Sequence, residues 1–115
     1  MLDAYPPNYH AARDRFREAA SDIDAQTSEH SIEHPLHPPS DPLTIDVAIT
    51  GDLASKRCVV ISSGVHGAEG FFGSAIQAAW LRQQTTLTAR ALATRIILLH
   101  AVNPYGFAHV RRWNE

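Results

Sequence analysis

One cysteine stands in 115 residues, Cys58, so no internal disulfide can form and nothing points to an oxidising compartment. Within its apolar, β-prone run that thiol is expected to be a buried small hydrophobe. Charge of one sign is scarce too: ten Lys and Arg oppose twelve Asp and Glu, for a formal net charge of −2. Without a basic field, nucleic acid is excluded as the main partner. No apolar run approaches the roughly 20 residues that span a bilayer. The opening residues, Met1 to Pro7, lack the basic and then apolar segments of a leader. No membrane partner is expected, and a cytoplasmic location is. There is no internal repeat. Hydrophobic content of 44% and charged content of 19% are ordinary for a soluble globular protein, and the length allows one domain with a real core.

The order of apolar runs and breakers predicts an α/β chain. Asn8 can cap a helix over residues 9–20, where Ala11, Ala12, Phe16, Ala19 and Ala20 make a modest apolar stripe. Residues 27–42 carry Pro35, Pro38, Pro39 and Pro42, which exclude a regular helix or a central strand and predict an exposed loop. His30, His34 and His37 in that loop have ligand-like spacings. Pro35 and Pro38 nevertheless break the helix that would align them, and no cysteine joins them. Residues 43–50 alternate as a half-buried strand with Leu43, Ile45, Val47 and Ile49 on one face. After a polar turn, Cys58–Ser62 is expected to run back antiparallel as a more fully buried strand.

A helix over residues 70–84 follows, with Phe71, Phe72, Ala75, Ile76, Ala79 and Trp80 as its apolar face. A short helix within residues 85–94 could be capped by Thr86 or Thr88. Arg95–Ala101 reads as a strand buried on both sides, parallel to Cys58–Ser62 through a right-handed crossover. Val102 to Phe107 is a turn by composition.

Chemistry concentrates in Ser62-Ser63-Gly64-Val65-His66-Gly67-Ala68-Glu69-Gly70, where a strand hands over to a helix. In an open α/β sheet that place is the carboxyl edge, where ligands bind. The strand end fixes His66, and the first helical turn brings Glu69 round beside it. Imidazole nitrogen and carboxylate oxygen both suit a borderline cation such as zinc. The plainer alternative is a Glu favoured by the helix N-terminus beside an ordinary loop His. The spacing alone does not exclude it.

Two segments taken together add a resemblance. Ser63-Gly64-Val65-His66-Gly67-Ala68-Glu69-Gly70-Phe71 and, one helix and one strand later, Asn103-Pro104-Tyr105-Gly106-Phe107 then Arg111-Arg112 resemble the M14 zinc carboxypeptidase superfamily. Within it the chain looks most like the bacterial branch carrying a DUF2817 domain. Aspartoacylase and succinylglutamate desuccinylase are more distant relatives. The resemblance implies that His66 and Glu69 are the first two zinc ligands and that Arg111 or Arg112 polarises the substrate carbonyl. It also implies the N-terminal part of the zinc carboxypeptidase fold, a partial mixed sheet flanked by helices. Residues 1–115 would then be a single incomplete M14-like domain.

The chain stops before the segment that supplies the family's third zinc ligand, a histidine, and its general-base glutamate. His100 and His109 are the candidates to substitute as ligands, although His100 is expected to be a structural polar residue. The function implied is the N-terminal part of a zinc-dependent hydrolase cutting a peptide or amide bond, inactive or nearly so as it stands. Its substrate in the complete enzyme would be a small peptide or acyl-amino acid. A sheet edge left without partners would favour self-association. The alternative is a non-catalytic binding or assembly module that has lost the metal site. A serine hydrolase using Ser62 or Ser63 is weaker, because neither serine has the Gly-x-Ser-x-Gly elbow.

Overall fold

A computed structural model describes residues 5–114; Met1–Ala4, which enter the argument about a leader, and Glu115 lie outside the described residues. The chain runs α1 (Tyr9–Asp22), β1 (Gln26–Ile32), β2 (Leu43–Gly51), β3 (Cys58–Ser62), α2 (Gly70–Gln83), α3 (Thr86–Arg90), β4 (Arg95–His100) and α4 (Pro104–Ala108). The strands form one mixed sheet in the order β1-β2-β4-β3. The expected α/β class, a mixed sheet with flanking helices, is what the chain adopts.

α1 starts where Asn8 accepts a hydrogen bond from the Ala11 N–H, and it buries Tyr9, Ala12, Phe16, Ala19 and Ala20. Phe16, Ala19, Ala20 and Ile23 meet Leu81 of α2, Ala89 of α3, Ala48 of β2, and Ile96 and Leu98 of β4 in one cluster. A second cluster joins Tyr9, Ala12 and Leu43 to Ala101, Tyr105 and Phe107. The helices thus cover one face of the sheet.

The strand order corrects the expected hairpin. β3 does not pair with β2; β4 lies between them, antiparallel to β2 and parallel to β3. Adjacent strands pair often, but the central slot went to the most apolar strand, Ile96-Ile97-Leu98-Leu99, which has a partner on each side. β3 takes the edge instead, and all five of its residues are exposed, Cys58 included. Neither the strand nor its thiol is buried, contrary to expectation. β4 is buried on one face and half-buried on the other, not on both.

The 27–42 segment also departs from a uniform loop. Gln26–Ile32 forms β1, paired antiparallel with β2 from Gln26 opposite Ile49 to Ile32 opposite Leu43. Its prolines all come after Ile32, and an edge strand with both faces exposed needs no apolar alternation. In β2 the period was legible but the sidedness inverts. Thr44, Asp46, Ala48 and Thr50 are buried, while Ile45, Val47 and Ile49 are only half-buried on the uncovered face. The reason is α1: Arg17 binds the Asp46 carboxylate, Thr44 Oγ1 donates to Asp46 Oδ1 at 2.6 Å, and Tyr9 Oη lies 2.8 Å from the Thr44 carbonyl. Buried polar groups with partners cost little. The Asp46 hydrogen bond raises the Arg17 pKa above its ordinary value.

α2 is rotated from the expected face. It buries Gly70, Ser74, Ala75, Gln77, Ala78 and Leu81, leaving Phe72 and Ile76 exposed. Small residues let the helix close on the sheet, and a Cβ on Gly73 would lie only 2.8 Å from the Ser63 Cβ. Gln77 fits inside because Ser63 Oγ donates to it and it donates to the carbonyls of Ile61 and Leu99. α3 is capped by Thr85, with Thr88 completing a capping box. The expected Val102–Phe107 turn is instead a short helix, α4, started by Asn103 as cap and Pro104 in its first turn.

Candidate functional site

β3 and β4 are parallel, so the segments after them leave the same sheet edge. Those segments are stitched together. The Val102 and Asn103 N–H groups donate to the carbonyls of Ser63 and Gly64, at 2.9 and 2.7 Å. The N–H groups of Gly67 and Ala68 donate to the carbonyls of Arg112 and Arg111, at 3.1 and 3.0 Å. Gly64 has a positive φ of 65°, and the Ala101 Cα would be 3.1 Å from any Cβ placed there. A Cβ on Gly67 would fall inside the backbone of Gly106 and the Arg111 carbonyl, and one on Gly70 inside the Phe107 ring. These glycines allow the two loops to touch backbone to backbone.

On that platform His66 Nδ1 and Glu69 Oε2 lie 2.8 Å apart, with 33% and 62% of their side chains exposed. Glu69 is the N-cap residue of α2, yet its carboxylate makes no capping hydrogen bond. The side chain turns to His66 instead of capping the helix, although a carboxylate at this position is still favoured by the helix N-terminus. The Trp113 ring packs edge-on to the imidazole, 4.8 Å between centroids, and the Arg112 guanidinium lies 5.0 Å from the Trp113 ring. Sequence reasoning missed Trp113; an aromatic just past an arginine pair was its only signal.

The donor set fits half of a zinc site. Nitrogen and carboxylate oxygen are suitable, and they are close enough to share one small cation. Among the described residues no group of three or more His, Cys, Asp or Glu could hold a metal ion. His100 is fully buried, with Nε2 2.9 Å from Ser74 Oγ and its ring stacked on Phe16. Burial holds its pKa down to about 4, so it is neutral at ordinary pH. Its role is structural. His109 turns to His37, at 2.8 Å. The three loop histidines are not brought together: His30 reaches Ser28, His34 stacks on Tyr105, and His37 meets His109 and Asp41.

Of the two serines in the weaker serine reading, Ser62 is exposed at the end of β3 and Ser63 is not. Ser63 is buried, with Oγ donating to Gln77 and accepting from the Ala101 N–H.

A family model described as "Protein of unknown function (DUF2817)" matches residues 5–115. The chain belongs to the DUF2817 family. No curated protein matches it. Among the described residues of this DUF2817 chain, no helix is long and apolar enough to cross a membrane.

Proposed function

We propose that this DUF2817 chain carries part of an M14-type zinc hydrolase site that acts on a peptide or amide bond. The observation that supports it best is the His66–Glu69 pair, held 2.8 Å apart at the carboxyl edge of parallel strands, with its carboxylate withheld from capping α2. His66 and Glu69 would hold the ion. Zinc bound there would polarise a carbonyl oxygen and lower the pKa of a water molecule toward neutrality. Arg111 or Arg112 would meet a carbonyl oxygen as it gains negative charge, and the Arg112 guanidinium lies beside the ring that packs on His66. The Trp113 ring walls the imidazole and offers an apolar surface to a small peptide or acyl-amino-acid substrate. With two protein ligands, hydration competes strongly and metal affinity is low. A cytoplasmic setting belongs to the same reading, since the exposed Cys58 thiol suits a reducing compartment.

Cobalt(II), a spectroscopic stand-in for zinc, tests the assignment. Addition to the full chain should give visible absorption bands together with paramagnetic shifts on the His66 ring. Both should vanish in Glu69→Gln. Shifts confined to His34, His37 or His109 would contradict it.

A further inference from the structure

The loop between β1 and β2 opens on the same sheet edge, because Ile32 and Leu43 pair beyond the register of Asp46 with His100. It touches the segment 109–114 at both ends. His37 Nδ1 lies 2.8 Å from His109 Nε2 at the start of that segment. His34 Nε2 lies 3.2 Å from the Asn114 carbonyl at its far end. Between these two points lie the Arg111 and Arg112 carbonyls that receive Gly67 and Ala68, and the Trp113 ring on His66.

The hydrogen-bond partners assign the tautomers. His34 Nδ1 accepts from the Leu36 N–H at 3.1 Å, so Nε2 carries the proton and donates to Asn114. His37 Nε2 faces the Asp41 carbonyl at 2.7 Å and must donate, so in the neutral ring Nδ1 is the acceptor toward His109 Nε2. Both rings are anchored from behind. The His34 ring lies flat on Tyr105 with 3.5 Å between centroids, and Asp41 is tied to α1 through His10. The prolines at 35, 38, 39 and 42 leave the loop little freedom to lose, which lowers the entropic cost of holding the two rings in place.

We propose that His34 and His37 are positioning residues that bracket the segment 109–114 and hold Trp113 and Arg112 as a wall of the His66–Glu69 site. This assignment rests on the hydrolase reading for its purpose but not for its test. They bind no ion and touch no reacting atom; they act through the segment they hold.

The test is the ring-current shift that Trp113 imposes on the His66 ring protons, read by NMR on the full chain with Trp113→Ala as the released reference. His34→Ala and His37→Ala should each move the His66 signals at least halfway to that reference. His34→Gln, which keeps a donor for the Asn114 carbonyl, should return them toward wild type. His66 signals unchanged in both alanine variants would overturn the proposal. So would equal loss of chemical-shift dispersion in His34→Ala and His34→Gln, since that marks a general folding role. If these shifts behave as stated while cobalt leaves His66 untouched, the bracket stands and the hydrolase reading fails.

Discussion

Gly67 and Gly106 meet backbone to backbone, with no room for a Cβ on Gly67 between them. The contact joins the loop after β3 to α4, so it fixes His66 and Glu69 relative to the segment that carries Arg112. The lesion is overpacking against backbone, not loss of an apolar contact. Gly67→Ala should therefore lower stability by about 1–3 kcal/mol in urea unfolding. It should also disturb the His66–Trp113 contact. A variant as stable as wild type, with that contact intact, would contradict the geometry.

Much of the fold was legible where a local rule decides alone. The Asn8 cap, the 9–20 stripe, the long second helix and the parallel relation of β3 and β4 follow from caps, periodicity and the crossover rule. What misled was burial. Sidedness in β2 depended on Arg17 and Tyr9 arriving from α1 to satisfy Asp46 and Thr44, which no pattern within the strand reveals. Placing β4 in the centre required comparing all strands at once. For the site, the glycine-framed His66–Glu69 pair was visible because chemistry and spacing lie in one stretch. Trp113 and His34 were not, since their relation to His66 exists only once three loops share an edge.

His100 gives a pH dependence with a definite sign. Its folded-state pKa, near 4, lies below the ordinary 6.5 because burial penalises the cation. Between those values the unfolded chain binds more protons, so stability falls as pH drops from 6.5 toward 4. At pH 5 the loss from this group is about 2 kcal/mol relative to neutral pH. Urea unfolding of wild type and His100→Gln at both pH values isolates the contribution. An identical pH slope in the two proteins would refute it.

Asp46 is the buried charge on which α1 and β2 depend. It is 3% exposed and is met by Arg17 and Thr44. Asp46→Ala leaves Arg17 with Glu29 as its carboxylate partner and Thr44 Oγ1 without its acceptor, and should cost about 1–3 kcal/mol. Asp46→Asn should cost less, because an amide oxygen still accepts from Thr44. Thermal melts of the two variants check the order.

The β3 edge should drive self-association. Cys58-Val59-Val60-Ile61-Ser62 carries neither charge nor proline, and Val60 is 57% exposed. Nothing on this strand discourages edge-to-edge pairing. Sedimentation velocity should show concentration-dependent association that Val60→Lys suppresses. A monomer at every concentration in both proteins would count against it.

The central claim concerns where a metal binds, and calorimetric titration with zinc tests it most directly. The full chain should bind one zinc weakly. His66→Ala and Glu69→Ala should each abolish binding, while joint replacement of His30 by alanine and of His34 and His37 by glutamine, which keeps donors for the bracket, should leave affinity within about threefold. Binding that survives His66→Ala and disappears with the three loop histidines would contradict the account.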